Sequence, residues 1–277
     1  MAVAVQAIEA DIRANLAGRI TNPFDDEQAR ANSSYLRWHD GKLIHALDPE
    51  RKPAPLAEFV HDSLRALVMN PKFSCVGAKA AFQGGGYRLG IYDEMNAPGT
   101  TAGLAHDLYS FVREQPLLDA EFVTFVASFA APVPADEREW ERLLWSQLQN
   151  LHEIDNQHHG WDPKVSSDPE DAQFSFSFAE RGFFVVGLHP ASSRFARRFA
   201  FPTMVFNLHD QFERLRETNK FERMQQTIRQ RDLRLQGTLN PNLSNFGDAS
   251  EARQYSGREV EAEWKCPFRR MFGGKKA

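Results

Sequence analysis

Cysteine is scarce in this chain: Cys75 and Cys266 are the only two in 277 residues, far apart and with no Cys-x-x-Cys. That excludes a disulfide framework, a zinc ribbon and a thioredoxin-like motif, and it suits a reducing cytoplasm. Charge of one sign is not in excess either. The 33 Lys and Arg stand against 37 Asp and Glu, a formal net charge of −4, so no global field draws the chain to nucleic acid or to an anionic membrane. Long hydrophobic runs are missing as well. The most apolar stretch, 122–133, contains Thr124, Ser128 and Pro132 and falls short of the roughly 20 residues that span a bilayer. Glu9 and Asp11 come too early for a secretory signal, so the N-terminus is expected to be an amphipathic helix or a frayed arm. There is no Gly-x-Ser-x-Gly elbow to support Ser/His/Asp hydrolysis. Gly84-Gly85-Gly86 precedes a strand pattern and lacks the Lys-Ser/Thr pair of a phosphate loop.

What the chain has in abundance is phenylalanine, 22 against five Tyr and five Trp, which implies an aromatic interior without polar handles. Such an interior suits a plain core or a pocket for a flat cofactor. Arg51-Lys52-Pro53-Ala54-Pro55 reads as a linker closing an N-terminal arm, residues 1–55. Beyond it, Leu56, Phe59, Val60, Leu64, Leu67 and Val68 recur at helical spacing until Asn70-Pro71. Strands are expected at 87–92 and 122–129, with a helix from Ala102 to Glu114 between them. A long helix follows from Asp136, then a polar loop at 155–171 of a length that is often functional. Phe212 to Leu235 reads as one charged amphipathic helix, 237–268 as irregular, and 269–277 as a mobile basic tail. The expected fold is therefore a single α+β domain over 56–268, a mixed β-sheet covered by helices with a loop-rich C-terminal wrap.

Chemistry concentrates between Phe174 and Phe212. Phe174, Phe176 and Phe178 alternate with serines, Glu180-Arg181-Gly182 reads as a turn, and Phe183 to Leu188 leads into His189. The chain returns as Met204 to Leu208 and places His209 at the corresponding strand end. Strand ends are rigid mounts, so these histidines are either satisfied residues at a sheet edge or holders of a metal or haem iron. Ser192, Ser193, Arg194, Arg197 and Arg198 form the densest candidate anion site, their alternative being a solvated basic face. His209 and Glu213 stand four apart and could chelate a cation. Cys266-Pro267 could supply a thiolate to haem iron, with an idle cysteine as the plainer reading. His152, Glu153, Asp155, His158 and His159 bring together the imidazoles and carboxylates of a zinc or non-haem iron site, with a solvated helix end as the plainer reading.

Several segments together resemble the YqcI/YcgG family: 70–79 (Asn-Pro-Lys-Phe-Ser-Cys-Val-Gly-Ala-Lys), 87–92, 103–108, Trp161-Asp162-Pro163, 166–169, 174–178, Gly187-Leu188-His189-Pro190, Ser192-Ser193-Arg194, Asn207-Leu208-His209, 250–257 and Cys266-Pro267-Phe268. The resemblance implies a haem-dependent N-oxygenase that hydroxylates a guanidine nitrogen, with haem b, O2 and an external electron donor such as a reductase. Composition and spacing by themselves do not show haem. On that reading a small guanidino or amino acid such as arginine is the substrate of a cytoplasmic enzyme with no nucleic-acid or membrane partner. The residue argument makes His189 the proximal ligand, because a strand end holds it more rigidly than a loop-rich C-terminus holds Cys266. His209 becomes the second choice or the distal residue. Ser193, Arg194, Arg197 and Arg198 are candidates for the propionate clamp, and Asp93, Asp168 and Glu251 for the carboxylate that would orient a cationic guanidinium. The alternatives are a non-haem metal oxygenase using His209, Glu213 and another histidine, and a non-catalytic haem sensor or carrier.

Overall fold

A computed structural model describes residues 21–239 and 249–271. Its centre is a pair of parallel strands, β3 (Tyr87–Glu94) and β4 (Thr124–Ala131), in register from Tyr87 against Thr124. Both are buried on two faces along most of their length, as parallel strands flanked by helices must be. The helix that crosses between them is α4 (Pro98–Glu114), started by a proline whose missing N–H costs nothing in the first turn. To one side β3 pairs with an antiparallel hairpin, β1 (Leu36–His39) and β2 (Lys42–His45). On the other, β4 pairs antiparallel with β7 (Thr203–Leu208), which pairs with β6 (Arg181–Leu188), and β5 (Phe176–Phe178) forms the edge. The seven-stranded order is β2-β1-β3-β4-β7-β6-β5, a mixed sheet in one α+β domain.

Two helical layers cover the sheet. On one face lie α4 and α5 (Glu137–Asp155), the latter capped by Asp136, whose carboxylate accepts the Glu139 N–H at 2.8 Å. Trp140, Leu144, Leu148 and Leu151 of α5 meet Phe125, Phe129, Phe183, Val185 and Phe206 in a core rich in phenylalanine. α5 approaches β6 so closely at Gly187 that a Cβ there would lie 2.7 Å from Trp140 Nε1 and 2.8 Å from Leu144. The opposite face carries α2 (Pro55–Met69) and α3 (Val76–Gly84), whose Leu64, Val68 and Phe82 pack on Tyr87, Leu89 and Val126.

Three elements differ from the sequence reading. Residues 27–45, expected as part of an arm, supply α1 (Glu27–Asn32) and the β1–β2 hairpin that widens the sheet. α3 was not anticipated, because its Gly- and Ala-rich stretch carries little periodicity. The expected single helix 212–235 is two, α6 (His209–Glu217) and α7 (Phe221–Gln236), broken where Asn219 takes the left-handed conformation at φ 54°. A short α8 (Ala252–Tyr255) packs against β6 in the C-terminal wrap. Among the described residues no helix is long and apolar enough to cross a membrane.

Gly187→Ala is expected to destabilise the fold by about 1–3 kcal/mol, the cost of overpacking a tight core. A lowered urea midpoint with an unchanged slope measures it, and an unchanged midpoint would mean that α5 does not sit so close on β6.

Candidate functional site

The two-residue period of a strand sends neighbouring side chains to opposite faces. In β4, β7 and β6 the set Phe125, Phe206, Phe183 and Val185 goes to the α5 side. The alternate set Val126, Val205, Asn207, Phe184, Val186 and Leu188 goes to the other side, where it lines a cavity of about 340 Å³. The remaining walls are α2 and α3 (Leu64, Val68, Ala78, Phe82) and the α7 stripe of Phe221, Met224, Ile228 and Asp232. That stripe recurs at helical spacing, so α7 turns its apolar side to the cavity and buries only Asp232 completely. A mostly apolar cavity with a few convergent polar groups is the usual form of a cofactor or small-molecule site.

Those polar groups lie in distinct places. Cys75 is the N-cap of α3, and its Sγ accepts the Ala78 N–H at 3.4 Å. Burial pushes its thiol up, against the opposing pull of the Ala78 and Gly77 amides and of Arg197. Arg194 pairs with Asp232 and donates to Thr238, which satisfies its guanidinium. Arg197 donates to three backbone carbonyls, of Gly187, Tyr255 and Gln254, and forms no ion pair among the described residues. Burial lowers it to about 10, so it stays cationic at neutral pH. At another edge, Glu251 Oε1 is hydrogen-bonded to Ser175 Oγ at 2.7 Å and to Tyr255 Oη at 2.5 Å. Burial raises Glu251 to about 8. His209 Nδ1 lies 3.1 Å from Ser175 Oγ, and Nε2 lies 3.0 Å from Glu213. Its pKa is lowered by burial.

The sequence candidates divide by face. Arg194, Arg197, His209 and Glu251 line the cavity. His189 does not: Leu188 faces the cavity, so the next residue turns to the α5 side, where the ring stacks on Trp140 at a centroid distance of 5.3 Å. It is fully buried, and neither ring nitrogen has a hydrogen-bond partner. That placement takes it out of reach as a ligand for anything held in the cavity. Ser193 is exposed and bonded to Glu137, while Arg198 stacks over Phe195, so neither joins an anion clamp there. Asp93 is exposed at the end of β3, and Asp168 is an exposed turn residue accepting the Glu170 N–H at 3.0 Å. Cys266 lies with Trp264 against the α5-side core, and burial pushes its thiol up to about 12.

His152, Asp155 and Asp162 anchor the polar loop instead of forming a solvated end. His152 Nε2 accepts the Met271 N–H at 2.9 Å, Asp155 accepts from Ala179, and Asp162 accepts from Gly182 at 2.7 Å. Among the described residues no group of three or more His, Cys, Asp or Glu could hold a metal ion, so His209 and Glu213 find no third donor. Sequence reasoning missed Cys75 and Ser175. Cys75 carried a usable signal, a small polarisable residue after Asn70-Pro71 and directly before a helix, the position an N-cap takes.

A family model described as the YqcI/YcgG family matches residues 64–269. No curated protein and no solved structure matches the chain significantly.

Burial lowers His189 to about 4. Its unfolded form, near 6.5, then binds more protons than the folded form between those values, so this residue costs stability as pH falls from 6.5 towards 4. The slope reaches at most about 1.4 kcal/mol per pH unit. His189→Leu, which removes two unpartnered nitrogens, is expected to flatten that dependence while matching or exceeding wild-type stability at pH 7.5. Parallel denaturation curves at pH 5 and 7.5 test it. An equal loss in both proteins would place the sensitivity elsewhere.

Proposed function

The chain belongs to the YqcI/YcgG family, and from that membership and the cavity we propose that it is a haem-dependent oxygenase that N-hydroxylates a guanidine or amine nitrogen of a small amino acid. One observation carries the reading: an apolar cavity between sheet and helices has a thiol in its wall, the Arg194 and Arg197 guanidinium groups on one side and, on another, a buried carboxyl near Arg216.

The residues present suit haem. Among the described residues three cavity side chains carry a nitrogen or sulfur donor for haem iron, Cys75, His209 and Met224, and of these a thiolate or an imidazole is the ligand that suits oxygen activation, a thioether suiting electron transfer. Both nitrogens of His209 are already engaged, by Ser175 and Glu213. Cys75 Sγ has a long N–H contact at a helix start, and helix N-termini favour thiolates. Cys75 is therefore the assigned ligand, in place of His189. Its raised pKa is no obstacle, because a coordinating metal deprotonates a thiol outright. Bound haem with a thiolate ligand supplies the cleavage of the O–O bond.

The protein's own groups do the rest. Arg197 and the Arg194–Asp232 pair would meet the propionates, Arg197 forming no ion pair with a carboxylate among the described residues. The apolar walls from β6, β7 and α7 exclude water. Glu251 is the one sequence-expected carboxylate in the cavity, and among the described residues its hydrogen bonds fall on Oε1, which leaves Oε2 for a planar cation. A guanidinium arriving there would draw the proton off Glu251 and be oriented by the resulting carboxylate.

The test is an absorption spectrum of protein expressed with a haem supply. The ferrous carbonyl adduct is expected to show the red-shifted Soret band of thiolate ligation, lost in Cys75→Ser and kept in Cys266→Ser and His189→Ala. Loss of pigment in His209→Ala alone would transfer the ligand to imidazole, and a protein that stays colourless would remove haem from the reading.

With oxygen and a competent reductant, arginine or another guanidino acid is expected to gain one oxygen atom, and citrulline none. Glu251→Gln should raise KM and lower kcat together, because one carboxylate both binds the cation and positions the nitrogen. A change confined to KM would assign Glu251 to binding alone.

A further inference from the structure

We propose that Glu251, Ser175, His209 and Glu213 form a proton path that joins solvent to the cavity. The path itself requires only the cavity, whereas the use made of the proton rests on the oxygenase reading above.

The four groups are continuous. Glu213, on α6, is the outer end, its side chain 43% exposed and its Oε1 3.0 Å from His209 Nε2. His209 Nδ1 lies 3.1 Å from Ser175 Oγ, which lies 2.7 Å from Glu251 Oε1. Inside this outer carboxylate, His209, Ser175 and Glu251 are all buried. A buried imidazole bonded at both nitrogens can take a proton at one and release it at the other, which a strictly structural histidine need not do.

The hydrogen count at Tyr255 closes if the inner end carries a proton. Tyr255 has one hydroxyl hydrogen but two acceptors in range, Phe183 O at 2.9 Å and Glu251 Oε1 at 2.5 Å, and Oη already accepts the Phe176 N–H at 3.1 Å. A protonated Glu251 resolves the excess, donating to Oη while Oη donates to Phe183. Burial of the carboxyl, which places its pKa near 8, agrees with this. The charged and titratable groups facing the path are Arg216 and Asp210 of α6, Tyr255 of α8, and Glu213 itself, which Arg216 also engages. Arg216 favours the ionised form of Glu251 and so eases release of its proton.

The transfer balances. Glu251 gives up its O–H proton in the cavity, and its carboxylate takes the Ser175 hydroxyl proton. Ser175 Oγ takes the proton of His209 Nδ1–H, and Nε2 takes one from solvent at Glu213. One proton enters, one leaves, and His209 changes tautomer. Inserting one oxygen atom of O2 into an N–H bond and reducing the other to water consumes two electrons, from the external donor, and two protons. Two passages supply those protons, with the Glu251 carboxyl, the Ser175 hydroxyl and the His209 ring rotating back to their starting orientation between them.

The test follows the carboxylic acid C=O stretch of Glu251 by infrared spectroscopy after mixing the full-length protein, without added ligand, into D2O at pH 6.5. The band is identified by its loss in Glu251→Gln. Ser175→Ala is expected to slow its deuterium exchange at least tenfold, Glu213→Gln to slow it as well, and Ser175→Thr to restore it. Exchange as fast in Ser175→Ala and Glu213→Gln as in wild type would overturn the proposal, as would the absence of a Glu251 acid band. Should Ser175→Ala fail to fold, Glu213→Gln, changed at an exposed position, decides alone. The measurement needs no haem, so a colourless protein would sink the oxygenase reading and leave this result standing. In the haem-loaded enzyme the same variants should divert at least half of the reducing equivalents from product to hydrogen peroxide.

Discussion

Strand β6 places a glycine where α5 comes down on the sheet, and the register of the whole right-hand half follows from that contact. With Gly187 under Trp140, Val185 and Phe183 must point the same way, and Phe184, Val186 and Leu188 must point the other. Pairing to β7 and then to β4 carries the parity across the sheet, so that Phe206 and Phe125 join one side and Val205 and Val126 the other. A slip of one residue in any of these strands would exchange the two sets. The packed aromatic core and the cavity are thus two faces of one constraint.

The faces differ in what they use to hold themselves together. On the α5 side most rings pack edge to face or tilted, as Phe183 does on Phe206 with centroids 5.9 Å apart, and a few stack, as Trp145 does on Tyr255. Where polar atoms enter, they are pinned: Trp140 Nε1 donates to Ser256 O at 3.1 Å, and Tyr255 is bonded to Phe176, Phe183 and Glu251. His189 and Trp145 are the exceptions: both His189 nitrogens and Trp145 Nε1 lack a hydrogen-bond partner among the described residues, and His189 is held by its stack on Trp140 and by burial, which favours its neutral ring. On the cavity side the aliphatic and aromatic walls are shared among four helices and three strands. The polar groups there come from several segments of the chain: Cys75 from the start of α3, Arg194 and Arg197 from the turn after β6, His209 and Arg216 from α6, Asp232 from α7, and Glu251 from just before α8.

Much of this was legible in the sequence. The helical stripe from Leu64 to Val68, the long helix with Trp140 and Leu144, the strands ending at His189 and His209, and the α+β class all follow from periodicity and turn residues. The side on which each histidine lies does not. Strands covered on both faces are apolar at every position, so Phe183 to Leu188 shows no alternation from which to read parity. His189 and His209 look equivalent in sequence and stand on opposite faces in the fold. The β1–β2 hairpin escaped notice because Arg37 and Lys42 dilute its apolar pattern. Cys75 was visible as a residue but not as a wall of the cavity, which exists only once α2, α3 and α7 are assembled on the sheet.

α7 has a consequence for how quickly the cavity can admit a ligand. Its apolar stripe faces the cavity, Asp232 is its one fully buried residue, and the joint to α6 bends at Asn219. Elements with few buried contacts open at a small fraction of the global unfolding free energy. The amides of α7 should therefore exchange ahead of those in β3, β4 and β7. On the proposed reading, admission of a large flat ligand on this side would be limited by the fraying of one helix anchored through the Arg194–Asp232 pair, on the timescale of local opening, while the sheet beneath stays closed.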